Sequence, residues 1–167
     1  NSTYADDQGN AYYIDSSSVP HLQDISLRVV GIKRNLSAAY ESMFQGGLTL
    51  LDGSTSRDDW VEGNCDGLVP FENKPQLLRS DWVQNSNNSY WSTNPAAFIT
   101  GISPLFGAEE TPQNPRTRLG IKMLQNPSDT GYAATAPAGQ DGKFGAEDLI
   151  KVIHNNRSFY AEQLLPE

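Results

Sequence analysis

At 167 residues, with 37% hydrophobic and 10% aromatic side chains, the chain is about one domain long and can bury a sizeable core. A net charge of −8 argues against a nucleic-acid binder, which needs a basic face, and against docking on an anionic membrane, and no apolar run approaches the roughly 20 residues of a span. The single cysteine, Cys65, excludes an internal disulfide, and with two distant histidines, His21 and His154, it does not make a metal site.

The sequence begins on Asn rather than Met and shows no signal peptide, so it reads as a processed product, a trimmed chain or a piece of something longer. Tyr4-Ala5-Asp6 and Ala11-Tyr12-Tyr13-Ile14 flank Asp7-Gln8-Gly9-Asn10, which predicts a hairpin. Residues 16–20 form a polar exit ending at Pro20. Residues 24–30, with Leu27, Val29 and Val30, fit either a short helix or a strand. Residues 36–44 suit a short helix stopped by Gly46-Gly47. Leu48-Thr49-Leu50-Leu51 reads as a strand entering a turn at Asp52-Gly53, and residues 55–62 as another short strand around Trp60 and Val61. The loop 63–67 holds Cys65, a spectator thiol in a sequence context that offers no base or cation. Leu68-Val69-Pro70-Phe71 suits an edge or an extended loop, because proline cannot donate to a ladder. A central strand is predicted at Trp82 and Val83.

That strand runs straight into small amides and hydroxyls: Asn85, Ser86, Asn87, Asn88 and Ser89, then Tyr90 and Trp91. Asn is depleted in strands and favoured where backbone turns or where a side-chain amide must donate. Two readings stand. One is a polar loop capping a strand; the other is a strand end that presents an amide N–H to a ligand or a developing oxyanion. Beyond it, the residues before proline, Asn94, Ser103, Thr111 and Asn114, mark extended backbone. Pro115 suits the first turn of a helix over residues 116–125 that ends at Asn126-Pro127. Arg116 and Arg118 lie at the start of that helix, where a cation opposes the dipole; they are solvated charges or they serve a carboxylate or amide oxygen.

Residues 128–140 read as loop. The D-G-K-F-G-A-E-D-L segment lacks the alternating acidic positions of a calcium loop and is read as a loop-to-helix entry. A helix follows over residues 146–154, broken by Asn155-Asn156, with a second short helix over 158–165. There is no G-x-S-x-G elbow. Without internal repeat or linker, residues 1–167 form a single segment. Strands early and helices late make it mixed α+β.

Residues 67–96, G-L-V-P-F-E-N-K-P-Q-L-L-R-S-D-W-V-Q-N-S-N-N-S-Y-W-S-T-N-P-A, resemble the penicillin acylase family of N-terminal-nucleophile hydrolases, in its aculeacin-acylase and acyl-homoserine-lactone-acylase branch. The likeness continues through I-S-P-L-F-G and T-P-Q-N-P-R-T-R and covers both ends of the chain. It implies an internal part of the large subunit, within an αββα sandwich that is incomplete here. The implied activity removes an acyl chain from an amide, in an N-acyl-homoserine lactone, an acyl lipopeptide or a β-lactam. The implied nucleophile is an N-terminal Ser, outside this chain, whose α-amino group is the base. The resemblance places an oxyanion donor on Asn87 and a supporting arginine on Arg116, with Arg118 the alternative, and assigns Trp91 to substrate binding. Where the branch usually has Asp after the second Asn, this chain has Asn88. The implied partners are the remaining large-subunit segment and the small subunit; no cofactor or calcium is carried over. A periplasmic or secreted location is implied, and the segment alone is expected to be inactive. The alternatives are a non-catalytic binding or structural module with an acylase-like sheet, and a standalone enzyme built on Cys65 and His154.

Overall fold

In a computed structural model of the chain, residues 1–62, 66–128 and 143–165 are described. The hairpin forms where the turn chemistry calls for it. The Asp6 carboxylate accepts the backbone N–H groups of Gln8 and Asn10 at 3.0 and 2.8 Å and the Asn10 amide at 2.9 Å. Gly9 supplies a positive φ of 85° without steric cost. Strand β1 (Ser2–Ala5) is exposed along its length, whereas β2 (Ala11–Ile14) buries Ala11 and Tyr13 on alternate positions. A third strand, β3 (Gln76–Arg79), completes an antiparallel sheet in the order β1-β2-β3, with Tyr13 opposite Leu77 and Ala11 opposite Arg79. Tyr13, Tyr90 and Ile99 form the core on one face, packed by Leu77, Val83, Trp91, Ile102 and Phe106. Burial pushes the Tyr13 phenol up to about 12, with the Asp15 charge adding to it.

The segment open to either reading is helical. Helix α1 (Asp24–Leu36) turns Ser26 and Val30, one turn apart, inward, and α2 (Ala38–Gln45) follows at once. The two are tied by Arg34, whose Nε donates to Glu41 at 2.9 Å while its guanidinium lies 3.5 Å from the centroid of the Phe44 ring.

Three expected strands are absent. Residues 48–51 form no strand; the Leu48 N–H is spent on the Met43 carbonyl at the end of α2. Residues 55–62 hold a 3₁₀ turn (Ser56–Asp58) and then a single bridge between Trp60 and Leu22. The cause is the buried Asp58 carboxylate. It accepts from the Ser26 hydroxyl, from Nε and Nη2 of Arg57 at 2.8 Å each, and from the Asp52 N–H at 2.7 Å, which folds the segment back on itself. Hydrogen bonds from Arg57, then Ser26, hold its pKa far below the ordinary value of 3.8. A lowered folded value means that this contribution is present above pH 3.8 and is lost as the pH falls below it. Asp58→Asn in the full-length protein is therefore expected to lower the midpoint of thermal unfolding at pH 7 by several degrees and to leave a smaller difference from wild type in acid. A pH-independent difference would count against the carboxylate.

The third absent strand is the one expected at Trp82 and Val83. Strand β3 stops at Arg79, where the side chain forks onto Asp81 at 2.8 and 2.6 Å and Asp81 accepts the Trp82 N–H. Residues 82–84 are extended, yet their polar groups pair with a returning segment instead of a sheet. The buried Asn94 amide donates to the Trp82 carbonyl at 2.8 Å, and the Gln84 N–H donates to the Thr93 carbonyl at 3.1 Å. Leu68 and Val69 run as an extended edge, as expected, with the Val69 N–H on the Val19 carbonyl.

The remaining helices sit where their signals place them. Asn114 caps α3 (Pro115–Gln125), its side chain accepting the Thr117 N–H at 2.8 Å. Helix α4 (Ala146–His154) begins with the Asp148 carboxylate accepting the Gly145 N–H at 3.0 Å. Helix α5 (Phe159–Leu164) packs on α3. Architecture is thus mixed helix and sheet. Cys65 and most of the 128–140 loop lie outside the described residues.

Candidate functional site

Residues 85–88 form a closed polar loop, the first of the two readings that the sequence allowed, with no strand before it for the loop to cap. Asn85 Nδ2 donates to the Asn88 carbonyl and Asn85 Oδ1 accepts the Asn87 N–H, each at 3.0 Å. This bridge across the loop forces the backbone at Asn87 to reverse, and Asn87 takes a left-handed φ of 63°. Asn tolerates that region better than other side chains, which explains an amide-rich sequence here. Asn87 is exposed, and no hydrogen bond engages its side-chain amide among the described residues.

The loop is held from one side by the start of α3. Asn88 Oδ1 accepts both the Asn114 N–H, at 3.0 Å, and the hydroxyl of the fully buried Thr117. Asn114 Nδ2 donates to the Ser86 carbonyl at 3.0 Å. From the other side, Tyr90 is 2% exposed and donates its hydroxyl to Glu109 at 2.7 Å, while the same carboxylate oxygen accepts the Ile102 N–H. Burial, then the bond to Glu109, raises the Tyr90 pKa well above its ordinary value.

Asn87, Asn88, Ser89 and Tyr90 line an open cavity of about 750 Å³ together with Asn1, Asp15 and the 105–108 turn. That volume lies within the range of small-molecule sites. The wall at Gly107 is tight. A Cβ there would sit 2.7 Å from Ser89 Oγ, and the residue's φ is 156°. Gly107→Ala is expected to cost about 1–3 kcal/mol, read as a lower unfolding midpoint, and adding Ser89→Gly should recover part of it. No recovery would mean that the backbone angle, not the contact, sets the cost.

Of the arginines, Arg116 is exposed on the first turn of α3 and makes no ion pair or hydrogen bond among the described residues, Asn87 included. Arg118 lies with its guanidinium 4.3 Å from the Phe159 ring centroid, turned toward α5. Trp91 stands behind the cavity instead of on it. Its ring stacks on Phe98 at 4.8 Å and packs against the core, and its buried Nε1 has no hydrogen-bond partner among the described residues. His21 and His154 lie apart, one at the Gly67 crossing and the other exposed at the end of α4. Among the described residues no group of three or more His, Cys, Asp or Glu is placed to hold a metal ion. The ties that sequence reasoning missed are Asn114 and Thr117. The Asn-Pro-x-Thr pattern signals an N-cap, but nothing local connects it to Asn88.

The sequence profile of penicillin amidases matches residues 1–167. The chain belongs to the penicillin amidase family. Acyl-homoserine lactone acylase PvdQ of Pseudomonas savastanoi pv. phaseolicola is 32% identical over 170 residues, covering all of this chain and 19% of that protein. The PvdQ of Pseudomonas syringae pv. syringae shows the same identity and coverage. Aculeacin-A acylase of Actinoplanes utahensis is 34% identical over 163 residues, 95% of this chain and 19% of the relative. The chain therefore spans about a fifth of the length of these penicillin amidase relatives.

Proposed function

We propose that the protein containing this segment hydrolyses an acyl amide, and that the segment supplies half of the reaction centre. The observation that carries this reading is Asn87, an exposed amide without a partner among the described residues, held by backbone geometry on the rim of a cavity of about 750 Å³. A side-chain N–H fixed in advance costs little reorganisation when charge develops on a carbonyl oxygen. The acyl donor would be an N-acyl-homoserine lactone, an acyl lipopeptide or a β-lactam. The acyl-homoserine lactone acylases among the relatives support the first of these, and aculeacin-A acylase supports an acylase reaction more broadly. The attacking group is an N-terminal Ser on a segment outside this chain, its own amine acting as base, and water then releases the acyl-enzyme. Arg116 is the better candidate to brace Asn87. It is uncommitted, and it rides on the helix turn that clamps the loop, whereas Arg118 is occupied by Phe159. Trp91 acts on the substrate indirectly, by packing against the core cluster that contains the cavity-lining Tyr90.

The sheet described here would continue into a larger αββα sandwich with the rest of the large subunit and the small subunit. The exposed face of β1 and the apolar side chains of α4, Leu149, Ile150 and Ile153, support burial against such partners.

The test uses the full-length protein and a set of acyl-homoserine lactones and acyl lipopeptides of graded chain length. Release of the free amine should accompany one equivalent of serine-bound acyl group in quenched-flow mass spectra, and residues 1–167 alone should release none. Hydrolysis without any acyl-serine would overturn the mechanism. Complete failure to cleave acyl amides would favour the non-catalytic module.

A further inference from the structure

We propose that Asn88 is a positioning residue, and that the start of α3 sets the direction of the Asn87 amide through it. The inference rests on the reading of Asn87 as an oxyanion donor, but the clamp itself is separately measurable. A left-handed backbone costs most non-glycine residues about 1–2 kcal/mol, and asparagine, which tolerates it better, still needs its surroundings to select it over the ordinary conformations. Asn87 has φ 63°, and it is exposed, so packing of its own side chain cannot hold it there. Its two neighbours do.

Asn85 closes the loop from within by bonding the Asn87 N–H and the Asn88 carbonyl. Alone, that bridge lets the loop rotate as a body against the cavity. Asn88 removes the freedom. Its side-chain oxygen is the single acceptor for two donors fixed in α3, the Asn114 N–H and the Thr117 hydroxyl. Asn114 returns a third bond, from Nδ2 to the Ser86 carbonyl. Thr117 is fully buried and Asn114 is the helix cap, so the anchor is as rigid as α3 itself. Among the described residues the loop thus carries bonds on both flanks of Asn87 and none on the side chain of Asn87.

The chemistry at position 88 calls for an oxygen acceptor with two lone pairs in reach, not for an amide N–H. Aspartate meets that need, and its charge suits the N-terminus of α3. Alanine does not, and it strands the Thr117 hydroxyl in the interior.

The test is a double-mutant cycle in the full-length enzyme, joined to hydrogen exchange over residues 85–89. Asn88→Ala should lower kcat about 10- to 100-fold, the scale of a small misplacement of a catalytic group, with little change in KM. Asn88→Asp should keep wild-type kcat. In an Asn87→Ala background, Asn88→Ala should cost nothing further, because the amide it positions is gone. The same loss in both backgrounds, or a lower unfolding midpoint with unchanged kcat, overturns the proposal. Exchange at the Asn87 N–H should quicken in Asn88→Ala whatever Asn87 does in catalysis, and unchanged exchange refutes the clamp. Should Asn87→Ala alone leave kcat intact while exchange quickens in Asn88→Ala, the clamp stands and the oxyanion role falls. If Asn88→Ala does not fold, Thr117→Val makes the same comparison with one bond removed and volume kept.

Discussion

Replacing Asn87 by alanine in the full-length protein is expected to lower kcat for acyl-amide hydrolysis about 10²- to 10³-fold, or about 2.7–4 kcal/mol of transition-state stabilisation. KM should change far less, because a ground-state carbonyl carries little of the charge that the amide meets in the tetrahedral intermediate. Alanine also brings a backbone penalty at φ 63°, which confuses the reading. Asn87→Gly separates the two effects. Glycine accepts the left-handed angle freely but has no amide, so it should be as slow as alanine while unfolding at a higher temperature. Asn87→Asp keeps shape and removes the donor, and it sets a carboxylate against the developing oxyanion, so it should be the slowest of the three. Glycine and alanine variants that both turn over at the wild-type rate would falsify the role of Asn87.

The parts of this fold that were legible in sequence are those fixed by neighbours in the chain. The hairpin follows from Asp6, Gly9 and Asn10, all inside one turn. Helix α3 follows from Asn114 and Pro115, and helices α4 and α5 lie within a residue or two of the positions expected. The errors come where a distant group takes the backbone. Trp82 and Val83 have the composition of a strand, but Asn94 and Thr93 supply their hydrogen bonds, so no ladder forms. Residues 55–62 contain Trp60 and Val61, but the buried Asp58 recruits Ser26 from 32 positions away and bends the segment into a turn. Side-chain carboxylates and amides that bind backbone at long range leave no periodic trace.

The candidate site divides in the same way. Clustered amides at 85–88 are visible in sequence as a place where backbone turns, and that half of the opening ambiguity describes what the loop does to itself. The cavity beside them is not visible. It is assembled from residue 1, residue 15, the end of α2 and the 105–108 turn, which the chain brings together only on folding. Nor could the tie from Asn88 to Asn114 and Thr117 be read, since it spans 26 and 29 positions between polar side chains with many other choices.

The second large effect is expected at the C-terminal end, where Glu162 joins α5 to α3. Its carboxylate, with a side chain only 3% exposed, accepts from Arg157 Nε at 2.6 Å and Nη2 at 2.9 Å and from Lys122 Nζ at 2.6 Å. Arg157 has no exposed side-chain surface, so removal of the carboxylate takes the Glu162 charge away from a guanidinium in the interior. Glu162→Gln is therefore expected to destabilise the α3–α5 contact by roughly 3 kcal/mol. Because a large protein need not unfold in one step, the loss should be read locally, as faster hydrogen exchange in α3 and α5. Arg157→Leu combined with Glu162→Leu should be less damaging than either single change, since the pair removes both buried charges and adds apolar volume. The bond from Arg157, foremost, lowers the Glu162 pKa from its ordinary 4.5 despite burial. A depressed folded value places this stabilisation above pH 4.5 and removes it as the pH falls below that point, so wild type and Glu162→Gln should converge in acid. Exchange rates that differ equally at pH 7 and in acid would show that packing, not charge, holds α5 in place. Because α3 also carries Asn114 and Thr117, loosening it at Lys122 should reach the 85–88 loop, and a modest fall in kcat with Glu162→Gln is the expected sign of that coupling.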